Sequence, residues 1–177
     1  MINAIIYCLA VWLANYTATL FIPFPVFGMV SVGTLIFGIT FTQRDRVHRH
    51  GRGKVYLMIA VAAVGMVIES TLLGVPWRII AASFMAIILS ETADTEIYQK
   101  LLSRPWLQRV IGSNAVSIPL DSTIFNLVAF LGVFKPLMLV QIIFGEIVVK
   151  TLTGALVALK KSRDTAAALA PALPHQS

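Results

Sequence analysis

Charge is scarce in this 177-residue sequence, with Asp, Glu, Lys and Arg together making up 12%. Soluble domains carry roughly 25%. The chain therefore has too little charge to solvate a globular surface, and its 58% hydrophobic content excludes disorder. Cysteine is almost absent as well. Cys8 is the one thiol, so neither an intramolecular disulfide nor a thiolate metal cluster can form. The three histidines, His48, His50 and His175, lie outside the apolar runs, leaving no metal-ligand set and no nucleophile–base pair. Neither an enzyme nor a bound cofactor is expected. The chain also lacks a phosphate-binding glycine loop, and with it any ATP-binding motif.

What is present is apolar sequence, with a mean hydropathy of +0.84. A helix needs about 20 such residues to cross a ~30 Å hydrocarbon core. Six stretches qualify: Ile2 to Ile22, Phe27 to Thr42, Val55 to Leu73, Trp77 to Ile97, Val110 to Phe134 and Leu137 to Leu159. The expected fold class is all-α integral membrane, with six transmembrane helices in one domain over residues 1–160 and a loose tail over 161–177. The second stretch is short and contains Gly28, Gly33 and Gly38, so whether it crosses fully stays open. Pro23 and Pro25 separate it from the first. The opening MINAIIYCLAVW lacks the positive region and cleavage site of a secretory signal, so it is expected to remain as the first span.

Basic residues set the orientation. Arg44, Arg46, Arg49, Arg52 and Lys54 lie between the second and third stretches, Lys100, Arg104 and Arg109 between the fourth and fifth, and Lys160, Lys161 and Arg163 after the sixth. With six spans all of these share one side, against Arg78 and Lys135 on the other. Both termini are then cytoplasmic. The net charge of +6 becomes a topology signal with lipid headgroup contact. No aromatic residues interleave the basic loop, so no nucleic-acid partner is expected.

Polar residues within the spans carry the functional signal, because a charge at the bilayer centre costs at least ~2.5–3.5 kcal/mol. Lys150 is the one basic residue placed inside a span, four residues after Glu146 and on the same helical face. The two could merely neutralise each other, but apolar residues would do that at no cost, and a site is the favoured reading. In the fifth span, Pro119 should kink or interrupt the helix near Ala115, with Asn114, Ser117, Asp121 and Ser122 around the break. Asn114 and the serines could also simply hold helices together. Glu91 and Asp94 share a face of the fourth span, whereas Glu96 sits nearer the headgroups. Glu69 either snorkels or partners Arg78. Asn15 and Tyr16 lie beside the aromatic residues Trp12, Phe21, Phe24 and Phe27, which pack, anchor in lipid or stack on a planar ring. Glu91, Asp121 and Glu146, with Lys150 beside them, make an acidic interior suited to a ligand rich in N–H groups. The same carboxylates could also carry protons.

These residues resemble a known family. Asn15-Tyr16, the Pro-rich loop to Phe27-Gly28, Ala82-Ser83-Phe84-Met85-Ala86 with Asp94, Ser113-Asn114 with Asp121-Ser122, and Glu146 with Lys150 are similar to the VUT (vitamin uptake transporter) family. Its best-understood members are queuosine precursor transporters of bacterial inner membranes. The resemblance implies a six-helix fold similar to the substrate-binding components of energy-coupling-factor transporters. It also implies a purine-like substrate such as 7-cyano-7-deazaguanine or its aminomethyl relative. Binding roles would fall to Asn15, Asp94, Asp121, Glu146 and Lys150, with Glu91 and Asn114 beside them. Asp121 and Glu146 would read the base edge, Asn114 would orient it and aromatic residues would stack on it. A homo-oligomer or a partner ATPase is compatible with this reading.

Overall fold

The computed structural model describes residues 1–25 and 28–169, with side chains through Lys160. Six helices and one hairpin follow in order: α1 Ile2–Tyr16, β1 Phe21–Phe24, β2 Gly28–Ser31, α2 Val32–His48, α3 Arg52–Leu72, α4 Trp77–Lys100, α5 Trp106–Phe130 and α6 Pro136–Leu169. The joints are chemically marked. Gly51, Gly74 and Gly132 take positive φ of 111°, 70° and 82° between helices, a region closed to most side chains. Pro76 and Pro105 precede the first turns of α4 and α5, and Pro136 opens α6, where a missing N–H costs nothing.

The helices close into a ring. Going round, α1 packs on α3, α3 on α4, α4 on α5, α5 on α6, α6 on α2, and α2 back on α1. One apolar cluster joins α1 to α3 through Tyr7, Val11, Met58, Ala62 and Met66. A second joins α4, α5 and α6 through Ala82, Ala86, Phe125, Phe130 and Leu139. Polarity runs opposite to that of a soluble globule. Leu57, Val61, Val64 and Ile68 of α3 are exposed, as are Val140, Phe144, Leu152 and Leu156 of α6, whereas Arg44, Asp45, Glu91, Asp94, Asp121, Glu146 and Lys150 are buried. Such a surface suits hydrocarbon rather than water. Among the described residues, α3 and the Pro136–Lys160 part of α6 are long and apolar enough to cross a membrane, with mean hydropathies of 2.0 and 1.9.

Several expectations need correction. The first stretch is not helical throughout: α1 ends at Tyr16, and Phe21–Phe24 pairs antiparallel with Gly28–Ser31, placing Pro23 opposite Met29. A two-stranded hairpin tolerates a proline because neither strand is flanked on both sides. At 15 residues α1 spans only about 22 Å. The second helix is displaced forward to Val32–His48, which takes Arg44 and Asp45 out of the loop. Pro119 does not interrupt α5, which is one helix from Trp106 to Phe130. Beyond residue 160, α6 continues to Leu169, and the tail over 170–177 lies outside the described residues, as does Phe27.

Candidate functional site

Inside the ring, residues of α1, α2, α4, α5 and α6 enclose a cavity of about 80 Å³. Its polar wall includes Asn15, Glu91, Asp121, Glu146 and Lys150 together with hydroxyl residues such as Thr34 and Ser83, and Phe37 and Phe125 also line it. Lys150 is the centre of this wall. Its Nζ donates to Asp121 Oδ2 at 2.7 Å and to Ser122 Oγ at 3.0 Å, and reaches Glu146 Oε2 at 3.5 Å. It also lies 4.3 Å from the centre of the Phe37 ring, within cation–π range. The predicted Glu146–Lys150 pair therefore exists, but Asp121 is the closer counter-charge.

Glu146 is held from the other side by Asn126, whose Nδ2 donates to Oε2 at 3.0 Å. Its Oε1 has no hydrogen-bond partner although the residue is 1% exposed. A buried carboxylate oxygen without a donor is costly to keep. Asp121 is better supplied, because Ser90 donates to its Oδ1 at 3.2 Å.

A second ion cluster lies beside the cavity. Arg44 contacts Glu91 at 3.0 Å, Asp94 at 2.7 Å and Asp45 at 3.5 Å, and is itself 2% exposed. Ser117 donates to Asp94 Oδ1 at 2.8 Å, tying the cluster to α5. Further along, His48 of α2 meets Gln99 of α4 at 2.9 Å, and Arg52 at the start of α3 meets Glu96 of α4 at 3.2 Å in a half-exposed pair. Arg44 corrects the sequence reading twice. It is a second buried cation, not a loop residue, and it engages Glu91 and Asp94, the two acids expected beside the substrate. The interior keeps an acidic excess, with Asp45, Glu91, Asp94, Asp121 and Glu146 against Arg44 and Lys150.

The remaining candidates are distributed unevenly. Asn15 reaches the cavity, but its amide is engaged at both ends, donating to Ser70 and accepting from Ser83, which links α1, α3 and α4. Asn114 is not brought to the carboxylates. It lines a separate, smaller pocket with Phe41 and Gly154. Arg78 does not pair with Glu69. It donates to the carbonyls of Val128 at 2.7 Å and Leu131 at 2.5 Å, satisfying the end of α5, while Glu69 accepts from Ser70 at 3.2 Å. Of the predicted aromatic residues, Phe21 packs edge-on against Phe130 and Phe134, away from the cavity lining. Phe37, Phe125, Asn126 and Arg44 were not singled out from sequence. Arg44 was the detectable one, since no helix breaker stands between Gly38 and Gly51.

No curated protein and no solved structure gives a match. The family profile described as "Putative vitamin uptake transporter" matches residues 31–159. That interval holds Arg44, both acidic residues it binds on α4, and the whole Asp121–Glu146–Lys150 group. The chain, a helical ring with an apolar exterior and a charged interior, therefore belongs to this family of membrane transporters.

Proposed function

We propose that this transporter imports a queuosine precursor, a 7-deazaguanine base bearing a cyano or aminomethyl group, across the bacterial inner membrane. In this reading all six helices span, both termini are cytoplasmic, and the cavity between the helices is the substrate site. One observation carries the substrate class: Glu146 presents a buried carboxylate oxygen without a donor in a cavity walled by Asp121, Phe37 and Phe125. A guanine-like edge offers a ring N–H and an exocyclic amine side by side, which one carboxylate accepts as a pair. The phenyl rings supply stacking surfaces for the heterocycle. Lys150 is the counter-charge to Asp121 and Glu146 and offers a donor to an acceptor on the opposite ring edge.

At about 80 Å³ the cavity is smaller than the roughly 300–1,000 Å³ of small-molecule sites, so admission of a two-ring base requires the helices to separate. The Arg44 cluster, next to Glu91, serves as the cytoplasmic closure in this scheme. Energy comes from an ion gradient, from metabolic trapping or from a partner ATPase. A different nucleobase or a vitamin on the same fold is the second reading, favoured by the separation of Asn114 from the cavity.

Uptake of labelled 7-cyano-7-deazaguanine into precursor-requiring cells, with saturable binding to the purified protein, is the expected result. Absence of both overturns the substrate. In a competition panel, displacement by a vitamin or an unmodified nucleobase but not by the deazaguanines selects the second reading.

A further inference from the structure

On the outside of the ring, between α1 and α3, runs a groove of about 650 Å³, far larger than the interior cavity. Its shape has a local cause. The indole of Trp12 is wedged between the two helices, where its Nε1 donates to the Ala62 carbonyl at 3.0 Å. Gly65 makes this possible, because a Cβ there would collide with the indole ring. The wedge closes one end of the groove. From Trp12 the groove follows α1 back to Asn3, about 13 Å of helix, between walls that include Leu9, Leu57 and Val61. At the other end stand His50 and Lys54, both exposed, and among the described residues no carboxylate lines the groove.

We propose that this groove is a binding site for an anionic phospholipid, with an acyl chain lying against α1 and α3 and the headgroup held by Lys54 and His50. The argument for this occupant is charge complementarity. Apolar walls suit a hydrocarbon chain, and a cationic, hydrogen-bonding mouth at one end suits a phosphate. A second copy of the chain fits less well. Two copies joined in parallel by a two-fold axis along this groove would place Lys54 of one beside Lys54 of the other. The site is independent of the transported substrate and of its route.

The test is native mass spectrometry of the full-length protein in detergent, titrated with phosphatidylglycerol or phosphatidylcholine of identical chains. One phosphatidylglycerol per chain should be retained preferentially. Lys54→Gln should weaken its retention about fivefold, the scale of one basic residue at a membrane surface, and leave phosphatidylcholine unaffected. Lys54 is exposed, so Lys54→Gln does not threaten folding. Phosphatidylglycerol with brominated chains should quench the fluorescence component that Trp12→Phe removes, more strongly than brominated phosphatidylcholine does. Equal retention of the two lipids, retention unchanged in Lys54→Gln, or quenching indifferent to the headgroup overturns the proposal. A dimer that protects Trp12 from both lipids overturns it in favour of self-association.

Discussion

The Arg44 and Lys150 clusters use the same ingredients to different ends. Each buries one cation among carboxylates drawn partly from its own helix and partly from others. Around Arg44 the guanidinium has contacts to three acids and Ser117 takes up a remaining oxygen, and the only member on the cavity wall is Glu91. Around Lys150 the ammonium, Asp121 and Glu146 all reach the cavity, and Glu146 keeps an oxygen without a donor. Arg44 Nη2 and Asp94 Oδ2 meet at 2.7 Å as an ion pair without a well-aligned hydrogen bond, whereas Lys150 reaches Oε2 of Glu146 and leaves Oε1 with no donor. Buried charge met by a close counter-charge is a strut. Buried charge with one group unmatched has capacity left for a ligand.

Removing the strut should have the largest effect. Arg44→Gln leaves Glu91, Asp94 and Asp45 without their cation, and should cost roughly 3–5 kcal/mol in thermal unfolding of the detergent-solubilised protein. A loss no larger than that of Arg52→Gln would erase the distinction between the clusters. Next comes the open cluster. Glu146→Gln and Asp121→Asn should each weaken binding of labelled 7-deazaguanine by about 10–100-fold, equivalent to roughly 1.5–3 kcal/mol. Glu69→Gln, whose carboxylate accepts from Ser70 and does not line the cavity, should leave binding unchanged. If it matches Asp121→Asn, the cavity is not the site. Asn15→Ala removes the bridge between Ser70 and Ser83 and should lower stability by about 1–2 kcal/mol, measured in the same unfolding assay. The smallest change belongs to the half-exposed Arg52–Glu96 pair, where Arg52→Gln should cost no more than ~0.2–1 kcal/mol.

Much of this arrangement was legible in the sequence. The α3 and α6 stretches declare themselves through long, strongly apolar runs, and Gly74, Gly132 and the prolines mark their ends. The depth of Asp121 and the shared face of Glu146 and Lys150 follow from position and helical period alone. What was hidden was non-local. Arg44 sits just ahead of four further basic residues and reads as part of a charged loop. Only the approach of α4 to α2 shows that it meets Glu91 and Asp94. The β1–β2 hairpin was missed because hydropathy ranks Phe21–Phe24 with the helix before it, although Pro23 was already an objection. Asn114 misled for a simpler reason. Lying seven residues before Asp121, it is near the same helical face, but it sits two turns away and reaches a different pocket.

The glycines of α2 give the two clusters a mechanical relation. Gly33 lies so close to the Ala14 carbonyl that no side chain fits between them, and a Cβ at Gly38 would stand 3.6 Å from Val157 and 3.7 Å from Thr153. At both contacts α2 meets its neighbours as a smooth rod, with no side chain locked into a hole. The same rod carries Thr34 and Phe37 on the cavity and Arg44 in the strut. A slide of α2 along its axis would carry all three together, changing the width of the chamber and the grip of the guanidinium in one stroke. One helix thus joins the chamber at one end to the Arg44 ion cluster at the other.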